Sequence, residues 1–174
     1  MLKKRIIFKL IFNGKNFCLS RNFNLQEVGD INWLYEKLKF GNFANYLDEL
    51  VVLNVDKSQL YSFDNFIKIT EKLIKKTFIP VTIGGGIDNF SQVKKCFGIG
   101  ADKIIITSQI NNKKLINEVV DTYGSQALIC GIDVKHDKKK LYTYLNNGKK
   151  KFLEFIKHVQ LAKKLKFGEL FINS

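Results

Sequence analysis

Short apolar runs alternate along this chain with longer stretches in which apolar residues recur every three or four positions. The runs fall near 5–12, 49–55, 80–83, 103–107, 127–133 and 169–173. Their near-continuous Val, Ile and Leu content predicts strands of a parallel sheet covered on both faces. Helical periodicity occupies about 31–46, 64–76, 89–98, 112–122 and 151–165. In the second of these stretches Phe66, Ile67, Ile69, Leu73 and Ile74 share one broad face, with Lys68, Lys72 and Lys75 beside it. Asp64 is placed to cap its start. Two segments break the rhythm, 13–26 and 138–150, the latter with Asn146-Asn147-Gly148. Both read as hairpins inserted beyond strands one and five, where barrel loops cover the reactive face.

Composition narrows the class. At 174 residues the chain, taken as 1–174, suits one domain with a real core. It is 45% hydrophobic with one proline, which argues for a folded chain over a disordered one. The net charge of +13 arises from 29 Lys+Arg against 16 Asp+Glu. The lysines are scattered through helical segments without a nucleic-acid-binding signature, and Asn, Lys, Ile and Phe are abundant together, as in A- and T-rich coding sequence. The charge therefore reads as composition, with general attraction for anionic substrates second, and no nucleic-acid partner is expected.

Cys18, Cys96 and Cys130 stand far apart with no CxxC spacing, which predicts neither a disulfide frame nor a metal site and fits a reducing cytoplasm. Met1-Leu2-Lys3-Lys4-Arg5 before Ile6 to Phe12 superficially resembles a secretion leader, but Lys9 interrupts the apolar run. No run of 18 apolar residues exists, so no membrane partner is expected either. The first twelve residues read better as a buried first strand.

The chemistry-bearing stretch is Pro80-Val81-Thr82-Ile83-Gly84-Gly85-Gly86-Ile87. A buried strand ends there in three glycines, and a helical pattern follows from Asn89. Consecutive glycines leave backbone N–H groups open to an anion. The next strand ends in Thr107-Ser108, two hydroxyls at the same strand end. Gly85, Gly86, Thr107 and Ser108 thus form a candidate phosphate cradle of a sugar-phosphate-handling barrel, with no organic cofactor indicated. A complete (β/α)8 TIM barrel needs about 250 residues. The alternation here ends after the sixth apolar strand, at Asn173-Ser174. The expected fold is an incomplete (β/α)8 TIM barrel of about six parallel strands, lacking the last two βα units, with exposed sheet edges and apolar surface.

With these elements in place, the chain resembles the cyclase subunit family of imidazole glycerol phosphate synthase over the first six units of that barrel. The resemblance is carried by Lys4-Arg5-Ile6-Ile7, Val28-Gly29-Asp30, Asp48-Glu49-Leu50-Val51, Gly84-Gly85-Gly86-Ile87, Gly100-Ala101-Asp102-Lys103, Gly124-Ser125-Gln126-Ala127, Ile132-Asp133-Val134-Lys135 and Gly168-Glu169, in order. It implies a glutaminase subunit as partner, ammonia passing through the barrel, and a phosphorylated ribonucleotide or sugar at the far end. The family's ring closure uses two aspartates, ending strands one and five, as acid and base. The second falls on Asp133 and the first on Ile11. An alkyl side chain carries no proton, and the family's loop-one lysine is replaced near Leu19, with Arg21 two residues on.

The resemblance also assigns an ammonia gate to Arg5, Glu49, Lys103 and Glu169, all charged as that pattern requires, and a glutaminase-facing rim to Asp102 and Gln126. A conduit without half of the cyclisation pair resembles a paralogous branch associated with bacterial surface polysaccharides, in which ammonia passes to a sugar amidotransferase. Two alternatives stand beside that reading: a working cyclase of histidine biosynthesis, and a non-catalytic module that only docks and activates the glutaminase.

Overall fold

A computed structural model of the chain describes residues 4–56, 61–137, 140–146 and 148–174. Met1 to Lys3, the start of the stretch read as a buried first strand, and part of the second hairpin, Asn147 included, lie outside the described residues. Two compact units emerge, one built from Met1–Gly86 with Lys94–Asp102, the other from Ile87–Val93 with Lys103–Ser174.

Unit 1 contains β1 (Ile7–Phe12), β2 (Phe17–Arg21), β3 (Asn24–Gly29), α1 (Ile31–Glu36), α2 (Phe40–Phe43), β4 (Glu49–Asn54), α3 (Phe63–Ile74) and β5 (Val81–Gly84). Its strands lie in the order β3-β2-β1-β4-β5. The β1–β4 and β4–β5 ladders are parallel, while the β2–β3 hairpin folds back antiparallel on the end of β1, Ile11 opposite Cys18. The core is aromatic: Phe12 packs on Phe17 and Phe66, and Phe40 on Phe8, Phe43 and Tyr35. Each fully buried side chain of this size contributes roughly 1.5–3 kcal/mol over exposure.

Helix α4 (Phe90–Gly98) begins in unit 2 and ends in unit 1. Unit 2 continues with β6 (Lys103–Ile106), α5 (Lys113–Tyr123), β7 (Leu128–Asp137), β8 (Lys140–Leu145), β9 (Lys150–Glu154), α6 (Phe155–Lys164) and β10 (Glu169–Asn173). The ten-residue β7 organises the unit. It pairs in parallel with β6 and, along residues 129–133, with β10; its outer end pairs antiparallel with β8. Ile110, Cys130, Ile132, Val134 and Ala162 form the core beneath α6.

The six predicted strands form with helical segments between them, and five local expectations need correction. The helix expected over 31–46 breaks at Lys39, whose φ of 50° lies in the left-handed region, so α1, α2 and a short 3-10 turn (Ala44–Tyr46) replace it. Asp64 does not cap α3: Ser62 accepts the Asn65 N–H instead, and Asp64 sits in the first turn paired with Lys95. The first hairpin runs on to Gly29, and β7 itself, not a separate strand, forms the first arm of the second. The helix expected from 151 starts at Phe155, because 150–154 is the return strand β9. There Thr143 Oγ1 bonds both the N–H and the C=O of Leu153, while Lys140 pairs with Glu154 and Lys151 with Asp137. These cross-strand partners outweigh the helical spacing of the local sequence.

Candidate functional site

The predicted gate charges form two ion pairs, each inside one unit. In unit 1 the Arg5 Nη1 lies 3.1 Å from Glu49 Oε2, and Thr82 Oγ1 donates to the other carboxylate oxygen at 2.7 Å. Glu49 opens β4 and is buried, so both of its oxygens need partners at this strand end. In unit 2 Lys103 Nζ reaches Glu169 Oε1 at 2.6 Å, joining the starts of β6 and β10. Asp102 and Gln126 are exposed and engaged locally: Asp102 Oδ2 accepts the Val81 N–H at 2.8 Å, and Gln126 Nε2 donates to the Tyr123 carbonyl.

At the opposite strand ends, Gly85 and Gly86 follow β5 with φ of 86° and 70°, conformations that L side chains rarely adopt. The Asn54 carbonyl lies where a Gly85 Cβ would stand, so the glycine is required by close backbone approach as well as by φ. In unit 2, Thr107 and Ser108 follow β6. Gly131 of β7 leaves the room that the Thr107 hydroxyl occupies, since a Cβ there would collide with it. Backbone amides and hydroxyls of this kind donate hydrogen bonds to phosphate oxygens.

Asp133 is half-buried on β7 in register with Asn173 of β10, whose Nδ2 donates to its Oδ1 at 3.1 Å. Ile11 is only 7% exposed, and its register neighbours are Cys18 and Leu53. Neither carries a carboxylate. Leu19 and Arg21 are exposed on β2. The turn before β2 is pinned by Glu27, which accepts from the amides of Asn13 and Asn16 at 2.7 Å each; these bonds hold its carboxyl below the usual carboxylate range.

Burial pushes the thiols of Cys96 and Cys130 up to about 12, so neither is a nucleophile at neutral pH. Among the described residues no group of three His, Cys, Asp or Glu side chains gathers to hold a metal ion, and no helix is long and apolar enough to cross a membrane.

Three polar partners escaped the reading of the sequence: Thr82 on Glu49, Asn173 on Asp133, and Asn54 beneath Gly85. Strand alternation places Thr82 two residues before Gly84 on the same face, a legible signal. Asn54 and Asn173 look like ordinary strand ends until the register is known.

Residues 38–174 match the family described as "Histidine biosynthesis protein". The chain is 38% identical over 149 residues to a hisF2 protein of Parasynechococcus marenigrum, named as an imidazole glycerol phosphate synthase subunit, covering 85% of this chain and 55% of that protein. It is 35% identical over 152 residues to imidazole glycerol phosphate synthase subunit HisF of Dictyoglomus thermophilum, covering 86% and 58%. With subunit HisF of Chlorobium phaeobacteroides the identity is 33% over 178 residues, covering 100% of this chain and 68% of the relative. The chain thus spans little more than half the length of the first two of these relatives. Strand–helix alternation in the order of a partial (β/α) barrel, the glycine turn after β5 and these matches agree: the chain belongs to the cyclase-subunit family of imidazole glycerol phosphate synthase.

Proposed function

We propose that this chain is a synthase subunit that accepts ammonia from a glutaminase partner in the cytoplasm and directs it to a phosphorylated, sugar-type substrate, in the amidation of a surface-polysaccharide sugar. The observation that carries this reading is Ile11, buried at the end of β1 where ring closure needs a titrating group. The hisF2 names of the Parasynechococcus relative and of a 34%-identical Campylobacter jejuni relative support it. In this reading Arg5–Glu49 and Lys103–Glu169 admit ammonia, with Asp102 and Gln126 at the rim that meets the glutaminase. Gly85, Gly86, Thr107 and Ser108 hold phosphate. Asp133, oriented by Asn173, supplies a polar contact or moves a proton at its carboxylate; a sugar amidotransferase takes the ammonia onward.

A growth test decides: the gene does not restore histidine prototrophy to a cyclase-null strain, and growth without histidine would refute the proposal. The second reading, a working cyclase of histidine biosynthesis, is favoured by the retention of Asp133. It requires turnover of the ribonucleotide intermediate with ammonium salts, where the first expects almost none.

A further inference from the structure

Unit 2 carries a second polar arrangement, built by the segment Ile87–Val93 and the residues that follow β6. Gln109 Nε2 donates to Asp88 Oδ1 at 2.8 Å. Asp88 stands two residues after Gly86, and Gln109 follows Ser108 directly. The pair therefore adjoins, along the chain, the residues assigned to phosphate. A carboxylate only accepts hydrogen bonds, so it is the amide nitrogen of Gln109 that faces it. Asp88 Oδ2 and Gln109 Oε1 have no hydrogen-bond partner among the described residues, and Asp88 has no ion pair there.

Helix capping does not account for the Asp88 carboxylate. Asn89 Oδ1 accepts the Gln92 N–H at 3.1 Å, and Gln92 Oε1 accepts in return from the N–H groups of Asp88 at 2.7 Å and Asn89 at 3.3 Å. That reciprocal box satisfies the start of α4 with side chains other than Asp88. Both arms of the pair are also anchored by their neighbours. Ile87 and Ile110 are buried, the Asn112 N–H donates to the Gln109 carbonyl at 2.9 Å, and Asn112 Oδ1 caps α5 on the Leu115 N–H. The half-buried Gln109 and the exposed Asp88 thus form a fixed amide–carboxylate pair at the surface.

What the pair leaves for a ligand is two acceptor oxygens and the second amide N–H. Neighbouring hydroxyls, each both donor and acceptor, satisfy that set. Phosphate oxygens do not, because they carry charge of the same sign as the carboxylate. We propose, on the reading in which Thr107 and Ser108 hold phosphate, that Asp88 and Gln109 recognise vicinal hydroxyls of the sugar attached to it. The substrate class is then a sugar phosphate whose diol is unmodified. A few well-placed polar groups of this kind set orientation and specificity, while the phosphate supplies the attachment. Asp88 also opposes a phosphate placed on the diol side, so the pair fixes which way round the sugar lies.

The test is calorimetric binding of ribose 5-phosphate, 2-deoxyribose 5-phosphate and inorganic phosphate to the purified full-length protein. Wild type should prefer ribose 5-phosphate to its 2-deoxy counterpart by about tenfold, because the missing hydroxyl leaves polar groups of the site unpaired. Asp88→Ala should erase that preference and bind inorganic phosphate as tightly as wild type or more so, since a like charge is gone. Gln109→Ala should reduce the preference by roughly threefold, the loss of one uncharged partner. The melt of Asp88→Ala should match wild type, because α4 keeps its cap. Equal binding of phosphate and both sugars by wild type overturns the inference and leaves the proposed function standing. A preference that survives Asp88→Ala, with or without a lowered melt, makes the pair a structural tie and also overturns it. Binding of none of the three probes removes the phosphate assignment and the inference together.

Discussion

Strand pair β1–β4 in unit 1 and strand pair β7–β10 in unit 2 repeat one arrangement with different side chains. Ile7 stands opposite Glu49 and Ile129 opposite Glu169; four residues later Ile11 stands opposite Leu53 and Asp133 opposite Asn173. Each first strand then turns into an antiparallel hairpin, β2–β3 or β8–β9, followed by a helix. Both units keep the acid at the early register position, each with a cation. At the later position one pair is aliphatic and the other is an aspartate bonded to an amide. The backbone that presents a strand-end group is therefore retained whether or not the group can titrate. Chemistry at such a site is decided by one side chain, because the ladder holds the position for any of them.

The largest expected effect comes from making the two strand ends alike. Ile11→Asp should raise ammonium-driven ring closure by roughly 10²–10⁴ over wild type, the range for one proton-transfer group. The same change should lower stability by about 2–3 kcal/mol in chemical denaturation, since the carboxylate enters an apolar site. No gain in single-turnover rate would mean that the two ends differ by more than this residue.

Next in size is the early register position. Glu49 has a side chain only 5% exposed and is bonded to Arg5 and Thr82, whereas the Glu169 side chain is 38% exposed. Glu49→Ala should cost about 2–3 kcal/mol, because Thr82 and Arg5 lose a shared acceptor in a buried setting. Glu169→Ala should cost less, about 1 kcal/mol, because this pair is only half-buried. Equal losses in urea titrations would erase the distinction between the units.

The smallest effect is a histidine-linked pH dependence, which belongs to unit 2. Both histidines of the chain, His136 and His158, belong to it. His158 is buried, with Nε2 3.7 Å from Cys130 Sγ, an edge of Phe152 against its ring, and Nδ1 without a hydrogen-bond partner among the described residues. Burial lowers its pKa from the ordinary 6.5. The unfolded chain therefore takes up this proton first as the pH falls. Stability should be undiminished by this group above about pH 6.5 and fall below it, by at most about 1.4 kcal/mol per pH unit, until the folded ring also protonates. Melting curves from pH 7.5 to 5 on wild type and His158→Gln check this; an identical slope in both would remove His158 as the cause.

Much of this was legible along the chain. Val and Ile runs separated by amphipathic segments leave little choice but parallel strands with covering helices, and Pro80 to Ile87 announced a glycine turn at a strand end. Misread segments had local signals that long-range partners overrode. Residues 151–154 continue the helical spacing of α6, yet Tyr142 and Tyr144 offer them a strand to pair with. Asp64 and Ser62 are both competent caps, and the backbone entry to α3 selected Ser62.

Taken alone, the order of residues determined the strand–helix alternation, the family, the charges at the strand starts and the aliphatic side chain at Ile11, because each is a property of periodicity or of residue type along the chain. Which groups touch was decided by the tertiary structure. Thr82 on Glu49 and Asn173 on Asp133 join residues tens of positions apart, and only strand register brings each pair together.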